Sequence, residues 1–390
     1  MMKNKQLFWP FGLYFLLLAG VAAHGPYRVL YFQSLEFTGA QIGLLTGIAP
    51  LVTLVSLPLI TGFADRTKRH KLIMSVSLLV VIAGLIIYTT LTTFTALFIV
   101  TILVGIFFAP VMALANSATM FMLGEWKEGY GRIRLGGTLG FSLVATLAGI
   151  LVENHGLKIA FWSGAGILFL SFLVSQKLTH GDEESGKPAN WNRVGELLKN
   201  PQFLLFLLLS LSGGISFATL NAYLFPYMKA VGAKEATMGL ALTIGTISEV
   251  PAMFFAGQFI KRYKAFNIIL FALAMTGLRF LLLGIAASPT LVLWIQLLNG
   301  LNYPLLTVAG VTFADEHAPE GFRATAQGLF NTATGGIGAA LGGFVGGLLF
   351  ESLGAQGMYL AFGTFVFIVL VVVGAIQRVL LPKEVKEIRD

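Results

Sequence analysis

An all-α integral membrane protein of twelve transmembrane helices is the fold class this sequence predicts, on three observations. Apolar residues make up 56% of the 390 positions and charged residues 11%, too few charges to cover a water-soluble surface. Windows of about 19 residues pick out twelve apolar stretches. They lie at 8–30, 42–64, 72–91, 96–122, 135–152, 159–174, 203–228, 237–260, 265–287, 291–314, 324–350 and 358–380. Of the 26 lysines and arginines, 21 fall in segments that share one side of the membrane, and only Lys158, Lys229 and Lys234 fall in loops on the other. That asymmetry is the positive-inside pattern, which predicts that both termini are cytoplasmic.

The same sorting accounts for the net charge of +8, because the cations are spread over seven short segments rather than gathered on one face as a nucleic-acid surface requires. The first span is too long for a cleaved signal and lacks a small-residue cleavage site, so it reads as a retained anchor. With no cysteine, the chain has no disulfide, no thiol catalysis and no Cys-bound metal. The long polar interruption at 175–200 divides the sequence into six spans (1–174) and six spans (201–390). Trp191 to Leu198 reads either as a short interfacial helix or as solvated linker. Basic turns follow the second span (Thr61 to Lys71) and the eighth (Gly257 to Lys264), as an internal duplication predicts.

Taken in order, the spans carry few polar groups. In span one, His24, Tyr27 and Arg28 flank Gly25-Pro26, a pair that can open a helix. His24 titrates in the range that suits proton coupling, or else it is a hydrogen-bonded interfacial histidine. Arg28 either snorkels outward or faces a cavity as an anion site. Asn116 lies in span four and Arg134 at the start of span five; Asn221, Tyr223 and Tyr227 lie in span seven. Glu249 is the only one of the eighteen acidic residues placed mid-span. A lone carboxylate there costs on the order of 3 kcal/mol or more unless it is protonated, paired or hydrated. It is therefore the candidate proton carrier or substrate ligand. Arg279 in span nine keeps its charge and needs an anion or a polar cavity, so it either holds Glu249 or contacts substrate. Span ten offers Gln296, Asn299, Asn302 and Tyr303, and span eleven Gln327 and Asn331. Amides and phenols of this kind suit a small polar or aromatic solute, and equally suit bridges between helices. Gly338, Gly342 and Gly346, four residues apart, give span eleven a face for close helix contact.

Asp65, Arg66 and Arg69 resemble the signature loop of the major facilitator superfamily, with Thr61 at its usual first glycine and Lys68 at its second. Several stretches resemble the proton-symporter branch that holds the lactose, phenylpropionate and nucleoside permeases: Phe8-Trp9, Tyr130 to Gly136, Ser248-Glu249-Val250-Pro251 with Arg279, and Phe350 to Leu360. The resemblance implies two pseudo-symmetric six-helix bundles around a cavity that opens to alternate sides. It also implies a bacterial inner-membrane protein, with Asp65, Arg66 and Arg69 as a conformational gate at the cytoplasmic end of span two. Arg134 matches the branch's sugar-binding arginine, whose carboxylate partner in span four is replaced here by Asn116. The branch's span-ten His and Glu align with Asn299 and Asn302. That departure leaves Glu249, with His24, as the coupling residues.

The reading is a secondary active transporter without cofactor or metal, acting as a monomer in the lipid bilayer on a small-molecule substrate with protons. Two mid-span arginines against one glutamate favour an organic acid, such as an aromatic carboxylate, over a sugar or nucleoside. A proton-driven efflux antiporter is the nearest alternative, although 136–152 lacks the Gly-Pro motif of the drug-exporting branch. A membrane-embedded enzyme needs a nucleophile with a base, or clustered metal ligands, which one mid-span His and one mid-span Glu in separate halves do not supply. A pure receptor is the remaining rival.

Overall fold

The structure, a computed structural model, describes residues 7–181, 194–319 and 322–380, and every regular element among them is helical. α1 (Phe8–His24), a 3₁₀ turn (Gly25–Tyr27) and α2 (Arg28–Ser34) share the first crossing. α3 (Gly39–Thr67), α4 (His70–Tyr88), α5 (Phe94–Leu123), α6 (Tyr130–His155) and α7 (Lys158–Ser175) make five more. The short α8 (Val194–Leu198) precedes α9 (Pro201–Ala230), α10 (Glu235–Tyr263) and α11 (Ala265–Ile285). α12 (Pro289–Ile295), a 3₁₀ stretch (Gln296–Leu301) and α13 (Tyr303–Glu316) follow, then α14 (Arg323–Asn331), a π-helical segment (Thr332–Gly338) and α15 (Ala339–Leu380). Residues 182–193 of the expected linker, including 191–193 of the expected interfacial helix, lie outside the described residues.

Among the described residues, eleven helical runs are long and apolar enough to cross a bilayer. The last, Arg323–Val379, has 57 residues, more than twice the roughly 20 that one crossing needs. Gly354 breaks it with φ 72° and ψ 177°, a backbone that side chains rarely permit. The run thus divides into the eleventh and twelfth crossings that the hydropathy predicts.

By compactness the chain groups into two units, Met1–Gly186 with Asn221–Thr246, and Lys187–Leu220 with Ile247–Asp390. In lipid, apolar burial does not drive helices together, so close backbone approach and hydrogen bonds hold the seams. In the first unit α1 runs against α6, and a Cβ on Gly140 would lie 2.1 Å from the Phe15 carbonyl oxygen. In the second unit α15 approaches α9 in the same way, and a Cβ on Gly342 would lie 2.3 Å from the Ile215 carbonyl oxygen. Crossings one with five, and seven with eleven, therefore meet backbone to backbone, as duplicated halves should. Gly338 and Gly342 both face α9, the role their spacing predicts.

The first unit also includes the end of α9 and the start of α10. There the Thr243 hydroxyl donates to the Ser142 carbonyl at 2.7 Å, and the Ala236 amide donates to Glu153 Oε2 at 3.1 Å. At the duplicated turns, Lys68 (φ 57°) follows α3 and Lys264 (φ 66°) follows α10. Both are in the backbone region that favours glycine. At Lys68 this is a left-handed helix C-cap, which accounts for the glycine usual there in the signature loop.

Candidate functional site

Among the described residues, each unit holds a polar cluster within its crossings. In the second unit it rests on a break in the backbone. Pro304 has no amide hydrogen and its ring collides with the preceding turn of a continued helix, so α12 cannot run straight into α13. The chain instead tightens into the 3₁₀ stretch Gln296–Leu301 and passes through Asn302 at φ −101° and ψ −98°. A 3₁₀ helix has three residues per turn, so side chains three apart stack in one column. Gln296 and Asn299 form such a column, and Asn302 stands three residues further on.

Arg279, on α11 and only 3% exposed, addresses that column with both ends of its guanidinium. Nη1 donates to Asn299 Oδ1 at 2.5 Å, and Nη2 donates to Gln296 Oε1. The amide nitrogen of Asn299 donates in turn to Glu249 Oε1 on α10 at 2.6 Å. The two opposite charges are thus linked through an amide, an arrangement that neither sequence reading of Arg279, holding Glu249 or contacting substrate, included. The cause is the 3₁₀ winding, which turns Asn299 into the space between α10 and α11. α10 comes close enough for the Gly300 amide to donate to Ser248 Oγ at 3.0 Å, and a Cβ on Gly300 would lie 2.0 Å from the Ser248 carbonyl oxygen. Arg279 Nε, Gln296 Nε2 and both amide atoms of Asn302 are buried with no hydrogen-bond partner among the described residues. Glu249 is half-buried. The cluster therefore retains unsatisfied donors and acceptors among the described residues.

The first unit's cluster is neutral where it is buried. Tyr14 of α1 donates to Asn116 Oδ1 of α5 at 2.5 Å, and Tyr130 of α6 donates to the same oxygen at 3.0 Å. The exposed Arg134, one turn along α6, reaches the Tyr130 hydroxyl at 3.3 Å. Asn116 thus accepts as a carboxylate would, without the charge, and Arg134 reaches it only through Tyr130.

The remaining expected residues are dispersed. His24 places Nδ1 2.7 Å from the Gly20 carbonyl and packs beside Phe161, in the seam between α1 and α7. Tyr27 is fully buried and edge-on to Phe225, its hydroxyl without a partner among the described residues. Arg28 is half-buried, and no hydrogen bond or ion pair joins it to another described residue. Tyr223 meets the Thr46 hydroxyl at 3.3 Å, whereas Asn221 is exposed. On α14, Gln327 is half-buried and Asn331 exposed. Asp65 pairs with His70 at 2.9 Å across the turn, while Arg66 and Arg69 are exposed. Sequence reasoning missed Tyr14 and passed over Tyr130 as part of a motif. A tyrosine in the apolar part of span one that precedes His24 was the available signal.

A helical membrane protein with two duplicated halves, each carrying a polar cluster within its crossings, is a transporter in architecture rather than an enzyme. Residues 9–361 match the MFS_1 like family, and the chain belongs to that family of the major facilitator superfamily. It is similar to the maltose permease of Geobacillus stearothermophilus, 26% identical over 95% of this chain and 93% of that protein. It is also similar to the xanthosine permease of Escherichia coli (strain K12), 24% identical over 88% of this chain and 87% of that protein. Among solved structures, the nucleoside transporter NupG superposes with a TM-score of 0.84 at 20% identity, over 95% of this chain and 99% of the other. The chain is a multi-pass membrane transporter.

Proposed function

We propose that the protein is a proton-coupled symporter that imports a small neutral, hydroxylated solute of the sugar or nucleoside class by alternating access. Both termini are cytoplasmic in this reading, and the protein works as a monomer in the bacterial inner membrane. The Glu249–Asn299–Arg279 chain carries it. Glu249 is the one mid-span acid, and the uncharged Asn299 between it and Arg279 lets a proton or a solute hydroxyl exchange at Glu249 without leaving the arginine bare. The amide of Asn302 and the free Nε2 of Gln296 suit hydroxyl and ring-nitrogen groups. The permeases similar to this chain are named for maltose and xanthosine.

One observation favours a second reading, import of an organic acid. Arg279 already spends both guanidinium ends on protein amides, but Arg28 has no hydrogen bond or ion pair to another described residue and is the place for a carboxylate. Proteoliposomes under an inward proton gradient separate these readings. Maltose, xanthosine and benzoate are offered in turn, with Glu249→Gln beside the native chain. The native protein accumulates one of them uphill and alkalinises the medium; Glu249→Gln exchanges it across the membrane but no longer concentrates it. Undiminished accumulation by the variant removes Glu249 from coupling. Acidification of the medium during uptake assigns antiport instead.

A further inference from the structure

At the basic end of the first unit, Lys68, Arg69, His70 and Lys71 form the turn into α4, and the chain leaving α7 runs back beside them from Gln176 to Gly181. Between the two lies a cleft of 680 Å³ whose charged and titratable lining among the described residues is Lys68, Arg69, His70, Lys71 and His180, with His70 bonded to the Asp65 carboxylate at 2.9 Å. Its polar floor is already tied. Lys71 Nζ donates to the Gln176 carbonyl at 2.7 Å, and Gln176 Nε2 donates to Ser75 Oγ at 2.8 Å. The rings of His70 and His180 stack within 6° of parallel, and neither nitrogen of His180 has a hydrogen-bond partner among the described residues. Arg69 is exposed and likewise has no hydrogen bond or ion pair to another described residue.

The other wall is apolar. Leu72, Val76 and Leu79 of α4 line the same cleft and are 53%, 43% and 44% exposed, one below the next along the helix. A cationic mouth above an apolar strip that faces the bilayer has the two-part chemistry of a phospholipid, whereas a free phosphate uses only the mouth. The duplicated turn in the second unit is built differently. The cleft of 710 Å³ beside Lys261 and Lys264 includes Glu316 in its lining, whereas in the first cleft Asp65 engages His70 and Arg69 has no hydrogen bond or ion pair to a described residue.

We propose that the cleft between α4 and α7 binds the headgroup of an acidic phospholipid. Its phosphate is held by Arg69 and the imidazole of His180, and its chains lie along Leu72, Val76 and Leu79. Native mass spectrometry of the full chain in detergent tests this, with phosphatidylglycerol, phosphatidylcholine and glycerol 3-phosphate as probes. Phosphatidylglycerol is retained at least about tenfold better than phosphatidylcholine, and Lys68→Gln/Arg69→Gln/Lys71→Gln loses that preference. Lys261→Gln/Lys264→Gln keeps it. His180→Glu, a single change that sets an anion in the cleft, weakens retention even if the triple variant fails to fold. Retention unchanged in both the triple variant and His180→Glu overturns the site. Displacement of phosphatidylglycerol by equimolar glycerol 3-phosphate overturns the lipid assignment in favour of a soluble phosphate.

Discussion

The two polar clusters solve the same problem in opposite ways. In the first unit, Tyr14, Asn116 and Tyr130 stand on three continuous helices and share one acceptor oxygen, so no charge is buried. In the second unit, Glu249 and Arg279 bring opposite charges into the span, and the chain breaks α12 from α13 to supply amides between them. The comparison teaches that an ion held inside a membrane recruits irregular backbone close by, because 3₁₀ winding aligns side chains that an α-helix would spread around its circumference.

The largest effect should come from unbalancing the charged cluster. Arg279→Leu strands Glu249 and lowers stability by about 3–5 kcal/mol, and adding Glu249→Leu restores most of it. Thermal melts of the single and double variants in detergent check this; a double variant no better than the single means the charges are not coupled. Next comes the bridging amide. Asn299→Ala leaves a guanidinium end and a carboxylate oxygen without partners and costs about 1–3 kcal/mol. If it melts like the native chain, the amide bridge is incidental. The neutral cluster should respond less. Asn116→Ala costs about 1.5 kcal/mol and raises KM while uphill accumulation persists. Loss of accumulation instead places coupling in the first unit and reverses the comparison. The smallest effects lie at the duplicated turns, where glycine relieves a positive φ. Lys264→Gly, at ψ 147°, gains about 1 kcal/mol, and Lys68→Gly, at ψ 23°, gains about half that. Equal gains mean that the second turn is no more strained than the first.

Hydropathy made the crossings legible to within a few residues. The predicted span 265–287 is the helix Ala265–Ile285, and 96–122 is Phe94–Leu123. Glu249 and Arg279 were legible for a related reason, since charge at that depth is too costly to be accidental. Their connection through Asn299 was not. Lipid-facing and partner-facing sides of these helices are both apolar, so the pattern that orients a helix in a water-soluble protein is nearly silent here. Tyr14 was missed on the same ground. The 3₁₀ column depends on where one winding ends and the next begins around Pro304, which hydropathy does not mark.

Thr332–Gly338 holds one consequence for span eleven. A π turn accommodates an extra residue within an otherwise regular helix. Winding the same residues as ordinary α-helix would swing the downstream length by about 100°. Gly342 would leave the Ile215 carbonyl, and a residue with a side chain would take its place against a backbone that has no room for one. The wide turn takes up the surplus residue and keeps the glycine flank aimed at α9, so losing that residue together with the wide turn leaves the flank in place.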